Sequence, residues 1–174
     1  MPVSRRVCLC VDDFGLHPAI NQAVLALYRP TTEEQGITLH LTKSGNGPFN
    51  TDAELVAEVL ENLLRNSIEA QPKGGFLSID SDLTPAGWQL SLSNGGYHLS
   101  IEDTKRLGEP YFTSKTRGTG LGLARCRNIA EALGGELQFY ADHQHHQLRL
   151  RLHLPSCPQT SGDTASHQAI EEIP

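Results

Sequence analysis

Three alternating glycines constrain this chain more than any other feature. Gly118, Gly120 and Gly122 lie in the segment GTGLGLA, directly before a stretch with helical spacing of apolar residues. Glycines at a helix start let a ligand approach the backbone amides closely, and the positive end of the helix favours an anion. Lys115 and Arg117, just before the glycines, add positive charge. The segment therefore predicts a phosphate-binding loop that opens into a helix.

The hydrophobic pattern predicts a mixture of helices and strands along most of the chain. Strands are expected at 5–11, 36–42, 76–81, 88–93, 136–141 and 147–153. Helices are expected at 18–28, ending at Arg29-Pro30, at 52–70, capped by Thr51, at 101–107 and at 120–133. This order predicts an α+β fold, in which helices cover one face of a mixed, mostly antiparallel sheet.

Composition narrows the classes of function. The chain has 174 residues, enough for one domain with a substantial core, and its net charge of −6 argues against a nucleic-acid partner. No apolar run approaches the roughly 20 residues that cross a bilayer. The start, MPVSRRV, lacks the apolar stretch of a secretory signal. Because the four cysteines show no paired zinc or disulfide spacing, we expect reduced cysteines in a cytoplasmic protein.

Two polar segments accompany the glycine loop. In ENLLRNSIEA at 61–70, Asn62 and Asn66 are four residues apart and share a helix face separate from the leucines. An amide oxygen there can bind Mg²⁺, although a pair of solvated or capping asparagines is the alternative. In SLSNGGYH at 91–98, Asn94 ends a strand and two glycines follow, which permits close approach of a ligand. An ordinary strand-ending turn is the alternative there.

In their order and spacing, these segments resemble the asparagine box, first glycine box, phenylalanine box and second glycine box of sensor histidine kinases. EPYFTSK at 109–115 and GTGLGLA at 118–124 carry most of the resemblance, which runs from about residue 20 to 155. The wider class includes gyrase, heat-shock protein 90 and MutL-type ATPases. The resemblance implies the two-layer α/β sandwich of the Bergerat type, with ATP and Mg²⁺ as ligands.

The same resemblance implies a role for each matching residue. Asn66 would hold Mg²⁺, with Asn62 its partner one turn earlier, and Lys115 would reach toward the phosphates; these three are the expected catalytic residues. The expected nucleotide-binding residues are Asn66, Asn94, Gly96, Phe112, Thr113, Lys115, Gly118, Thr119, Gly120, Leu121 and Gly122. Leu121 and Leu123 are expected to pack under the nucleotide or into the core.

The sequence departs from the family pattern in three ways. The first glycine box begins with Asn94 where the family has an aspartate that binds the adenine amino group, and His98 replaces its later glycine. The hydrolytic relatives carry a glutamate at the position of Asn62, which argues against an efficient ATPase. None of the eight histidines is followed by an acidic residue, as an acceptor histidine usually is.

From these departures we expect transfer of the γ-phosphoryl group to a histidine in trans, on a dimerisation hairpin, or action with a response regulator. The chain itself is expected to be a monomer. The alternative is a catalytically degenerate module that binds a nucleotide or a protein.

The amino terminus stands apart from this pattern. VCLCVDDFGL at 7–16 faintly resembles the start of YdjC-like carbohydrate deacetylases, in which Asp12 would be the base and Asp13 a metal ligand. A fusion junction or a strand-ending acidic turn is the other interpretation. We therefore expect an amino-terminal segment at 1–30, the ATP-binding domain at 31–155 and a disordered polar tail at 156–174.

Overall fold

The computed structural model describes residues 7–10, 28–45, 48–115 and 118–156. The strands are β1 (Val7–Cys10), β2 (Thr38–Ser44), β3 (Pro48–Thr51), β4 (Phe76–Thr84), β5 (Gly87–Asn94), β6 (Glu136–Asp142) and β7 (Gln147–Pro155). The helices are α1, described over 28–35, α2 (Ala53–Glu69), α3 (Ile101–Lys105) and α4 (Gly122–Ala132). Most predicted elements are present within a few residues of their expected bounds.

Five strands form the main sheet in the order β2-β4-β5-β7-β6, and β1 pairs with β3 in a small antiparallel ribbon. Only the β2–β4 pair of the main sheet is parallel. The register aligns apolar residues of the core and its edge in rows across the strands. One row joins Ile79, Leu92, Leu150 and Phe139, and the next joins Leu90, Leu152 and Leu137.

The two faces of this sheet differ in polarity, because successive side chains alternate between faces. The face opposite the leucine rows carries a polar row, formed by Asp80, Ser91, Arg151 and Gln138. Helices α2 and α4 pack side by side and contact β5, β6 and β7. The predicted α+β sandwich, with its helices on the apolar face of a mixed sheet, is confirmed.

Helix α2 forms because apolar residues recur every three or four positions. Its inward side chains Val56, Val59 and Leu63 are at most 1% exposed. The prediction that Thr51 caps this helix is wrong, since Thr51 pairs with Val7 as the last residue of β3. The cap is Asp52, whose carboxylate accepts hydrogen bonds from the backbone N–H groups of Glu54 and Leu55.

The predicted end of the first helix at Arg29-Pro30 is also wrong. Residues 28–35 are helical, although a proline within a helix removes a backbone hydrogen bond and usually kinks or ends it. The Thr32 hydroxyl donates to the Arg29 carbonyl, and Gly36, with φ of +65°, ends the helix. The Tyr28 side chain packs against the main core, and its hydroxyl donates to the Glu61 carbonyl at 3.3 Å.

Helix α4 is fixed to α2 by a buried thiol and a surface ion pair. The Cys126 Sγ lies 3.8 Å from the Val59 carbonyl oxygen, and burial raises the pKa of this thiol to about 12, so it stays protonated. The Arg125 guanidinium binds both carboxylate oxygens of Glu58, with Nη2 at 2.8 Å from Oε2. These contacts hold the amino-terminal end of α4 beside the middle of α2.

Several sequence predictions lie outside the described residues. They include most of the helix at 18–28, the pair Asp12 and Asp13, Arg117, and the tail beyond Ser156. No helix among the described residues combines the length and the apolar character needed to cross a membrane.

Candidate functional site

A buried asparagine interrupts the apolar face of the sheet. Asn94 lies in the row of Leu77 and Leu148, on the same face as Leu90 and Leu92, and it is 1% exposed. Its Nδ2 donates to the Gly95 carbonyl at 2.8 Å, whereas its Oδ1 is buried without a hydrogen-bond partner. A buried acceptor without a partner costs about 1–3 kcal/mol. Such a group among leucines makes Asn94 a candidate for binding a ligand.

Gly96 brings the segment after Asn94 against the carboxyl end of α2. Its φ is +76°, and a Cβ at this position would lie 2.5 Å from the Ala70 carbonyl oxygen and 2.8 Å from Pro72 Cδ. Only glycine accommodates both the left-handed backbone and this close approach. The contact places the first glycine segment, residues 94–96, beside Ala70, which is one helical turn beyond Asn66.

The two amides of α2 face the start of α4. A Cβ on Gly122 would lie 3.4 Å from Asn62 Oδ1 and 3.7 Å from Asn66 Nδ2. Asn62 is held by its neighbours: its Nδ2 donates to the Glu58 carbonyl at 3.0 Å, and its Oδ1 accepts from Arg65 at 2.6 Å. The structure therefore brings together Asn62, Asn66 and Gly122, which the sequence separates by up to 60 positions.

Lys115 reaches from the segment between α3 and α4 to this same helix face. Its Nζ donates to Asn66 Oδ1 at 3.0 Å and to Glu69 Oε2 at 2.5 Å. The Asn66 oxygen thus already holds a cationic group. Of the three expected catalytic residues, Asn66 and Lys115 are in direct contact, and Asn62 lies one turn away.

The glycine loop enters α4 without a side-chain cap. Leu121 is the amino-terminal cap residue of α4, and no side chain caps the helix there. Gly120 has φ of +69°, and a Cβ would lie 2.3 Å from the Tyr111 carbonyl carbon. The Gly120 carbonyl accepts from the Tyr111 N–H at 3.0 Å, so the loop is tied to the preceding segment. Exposed amides at a helix start form an anion site.

The two leucines of this loop, Leu121 and Leu123, differ in burial. Leu123 packs against the core, as predicted. Leu121 is 43% exposed and does not pack into the core, so for this residue only the expected position under a nucleotide stays a prediction. The helix begins only at Gly122, so Leu121 still belongs to the loop and follows its outward course.

The remaining expected residues shape the segment between α3 and α4. The Arg106 guanidinium stacks on the Phe112 ring at 4.5 Å and pairs with Glu109 at 3.3 Å. The Thr113 hydroxyl accepts from the Lys115 N–H at 3.1 Å, and a Cβ on Gly118 would collide with it. The Thr119 hydroxyl accepts a weak bond from the Leu121 N–H at 3.4 Å. These contacts hold together the segment between α3 and α4, described over 106–115 and 118–121, which is called the flap below and carries Lys115.

Sequence reasoning missed Glu69 and Arg65. Glu69 stands three residues after Asn66, which puts it on the same helix face, and this spacing could have revealed it. Arg65 follows Asn62 at the same interval. The contact of Glu69 with Lys115 spans 46 positions, so it depends on the folding of the flap.

Comparison with known families identifies one that matches most of this region. Residues 51–158 match the model of the histidine kinase-, DNA gyrase B- and HSP90-like ATPases. The match extends from the residue before the α2 cap to just past β7, so it contains every expected site residue.

Two curated relatives are bacterial kinases by name. Sporulation kinase C of Bacillus subtilis is 34% identical over 94 residues, which is 54% of this chain and 22% of that protein. Sensor histidine kinase ZraS of Escherichia coli is 32% identical over 131 residues, which is 75% of this chain and 28% of that protein. The chain therefore spans about a quarter of the length of these relatives.

Solved structures show the same fold. The catalytic domain of histidine kinase ThkA aligns with a TM-score of 0.74 at 24% identity, over 87% of this chain and 96% of that chain. ThkA in complex with the response regulator protein TrrA aligns with a TM-score of 0.70 at 21% identity, over 89% of this chain and 43% of that one.

Proposed function

The chain belongs to the family of histidine kinase-, DNA gyrase B- and HSP90-like ATPases, as an ATP-binding catalytic domain of the histidine kinase type, and we propose that it binds Mg·ATP between α2 and the flap and transfers the γ-phosphoryl group to a histidine in trans. The observation that carries this proposal is the presence of two acceptors on adjoining elements. Asn94 Oδ1 is buried without a hydrogen-bond partner, and Asn66 Oδ1 holds a cationic group.

Asn94 is the base-recognising residue in this proposal. Because its Nδ2 is engaged by the Gly95 carbonyl, its Oδ1 is left as an acceptor. An acceptor pairs with the amino group at position 6 of adenine and is repelled by the carbonyl oxygen of guanine at that position. The neutral amide makes a weaker bond than a carboxylate by about 1 kcal/mol. We expect ATP to bind better than GTP, with modest affinity.

Asn66 is the proposed ligand for Mg²⁺. Its Oδ1 accepts from the Lys115 ammonium at 3.0 Å, which supports its fitness to hold a cation. Amide oxygens are among the hard ligands that Mg²⁺ takes, together with waters and substrate phosphates. Bound there, the ion would neutralise phosphate charge during transfer.

Lys115 and the α4 amides are the proposed phosphate ligands. Gly120 and Gly122 carry no side chain over the positive end of α4, where no side chain caps the helix. Lys115, which is 39% exposed, stands on the flap and can turn from α2 to the triphosphate. Phosphoryl transfer needs mainly this positioning and charge neutralisation, so a strong base at Asn62 is unnecessary when the acceptor is an imidazole.

The proposal also includes the protein partners of the domain. Sensor histidine kinases among the relatives, and the ThkA complex with a response regulator, support a histidine-bearing hairpin or a response regulator as the partner. We further propose that the domain works as a monomer in the cytoplasm, where ATP is supplied.

A phosphotransfer assay tests this function. The chain would be mixed with Mg²⁺, γ-labelled ATP and a separately expressed dimerisation hairpin from a sensor histidine kinase. We expect acid-labile label on the hairpin, which disappears when its histidine is replaced by glutamine and when Asn66→Ala is used. Asn128→Ala, an exposed asparagine on α4, is the matched control that should retain activity. Nucleotide binding without any labelled hairpin would instead favour a non-catalytic module.

A further inference from the structure

Glu69 lies at a place where a carboxylate is unfavourable unless a cation compensates it. It is the last residue of α2, and no basic residue occupies the last turn of that helix. The carboxyl end of a helix is negative, so a further negative charge there is destabilising. Lys115 supplies the missing positive charge from the flap, with its Nζ at 2.5 Å from Glu69 Oε2.

The same ammonium also occupies the oxygen proposed for Mg²⁺. Lys115 Nζ lies 3.0 Å from Asn66 Oδ1, and Asn66 and Glu69 are three residues apart on one helix face. A metal ligand oxygen lies about 2.1 Å from Mg²⁺. An ammonium that kept its bond to this oxygen would be within about 5 Å of the metal, and the two cations would repel each other. This repulsion favours release of Lys115 from Asn66 when the oxygen takes a metal.

We infer that Glu69 is a positioning residue, which holds Lys115 on Asn66 until Mg·ATP binds and makes the site selective for metal-bound nucleotide. This inference rests on the proposed function. With Glu69 as its partner, Lys115 stays on α2 and the flap stays against that helix. When Lys115 turns to the phosphates, the Glu69 carboxylate is left beside a negatively charged triphosphate. The unpaired carboxylate therefore weakens the binding of metal-free nucleotide more than the binding of nucleotide whose charge is neutralised by Mg²⁺.

The first test uses the protein without nucleotide. Lys115 reactivity would be measured by brief acetylation with a limiting reagent, followed by peptide mass analysis. The test variant is Glu69→Gln, and the matched control is Glu61→Gln. The control removes the same charge from the same helix, but native Glu61 pairs with Arg65 at 3.8 Å and not with Lys115. We expect Lys115 to react at least about twice as fast in Glu69→Gln, and at the wild-type rate in Glu61→Gln. High salt should raise the rate in the wild type and in Glu61→Gln, which keep the Lys115–Glu69 pair, but not in Glu69→Gln.

The second test compares nucleotide affinity with Mg²⁺ and with a chelator. Glu69→Gln should tighten the binding of metal-free ATP analogue about two- to fivefold, the range for an exposed ion pair, and change the Mg²⁺-bound affinity less. Equal Lys115 reactivity in the wild type and Glu69→Gln, or equal effects of both variants, would overturn the inference. If the wild type bound no nucleotide, the proposed function would fail instead, and the lysine measurement would still decide whether Glu69 holds Lys115.

Discussion

Gly96 provides a sharp test of how the site is assembled, because the structure separates two costs of adding a methyl group there. Gly96 and Gly74 have nearly the same left-handed backbone, with φ of +76° and +78°. A Cβ on Gly96 would meet the Ala70 carbonyl oxygen at 2.5 Å, whereas a Cβ on Gly74 would meet nothing within 4 Å. The Gly74→Ala variant therefore measures the backbone cost alone.

The expected magnitudes follow from these contacts. Placing alanine in the left-handed region costs about 1–2 kcal/mol, and this applies to both variants. Gly96→Ala also forces a collision with helix backbone that cannot move freely, which adds about 1–3 kcal/mol. We expect the free energy of unfolding to fall by about 2–5 kcal/mol for Gly96→Ala and about 1–2 kcal/mol for Gly74→Ala.

Urea unfolding followed by circular dichroism measures both variants. Because Gly96 also carries the segment that begins at Asn94, Gly96→Ala should weaken nucleotide binding in the folded protein, and Gly74→Ala should leave it unchanged. Equal destabilisation of the two variants, within about 0.5 kcal/mol, would refute the claim that the first glycine segment packs on the end of α2.

Three further predictions concern single side chains. Asp52→Ala should lower the free energy of unfolding by about 1 kcal/mol through loss of the α2 cap, and Thr51→Ala, tested by the same urea titration, should cost less. Asn94→Ala should abolish the preference for ATP over GTP in competition binding; a retained preference would contradict base recognition by this amide. The Arg125 hydrogen bond holds the pKa of Glu58 below its ordinary value. Its stabilisation is therefore present above about pH 4.3 and lost as pH falls through the folded-state pKa, so Glu58→Gln should differ from the wild type in thermal melts at pH 7 but not at acid pH.

The main elements could be predicted because their signals are local. Periodic apolar residues define α2, and alternation defines β4, β5 and β7. Alternation also places Asn94 on the leucine face of β5, although its unpartnered oxygen is visible only once the neighbouring strands are in register. Local signals failed where two residues compete for one role, as Thr51 and Asp52 did for the cap.

The contacts that complete the site could not be predicted in the same way. The ion pair of Lys115 with Glu69 joins a flap to a helix, and nothing in either segment alone specifies it. The outward position of Leu121 follows from where α4 begins, which a run of alternating glycines and leucines leaves open.

The central claim is tested most directly by calorimetric titration with a non-hydrolysable ATP analogue, with and without Mg²⁺. We predict that Mg²⁺ tightens binding to the wild type by about tenfold or more, since it neutralises the phosphates against Asn66. This dependence should disappear in Asn66→Ala and persist in Asn128→Ala. Absence of binding at millimolar analogue, or an unchanged Mg²⁺ dependence in Asn66→Ala, would contradict the account.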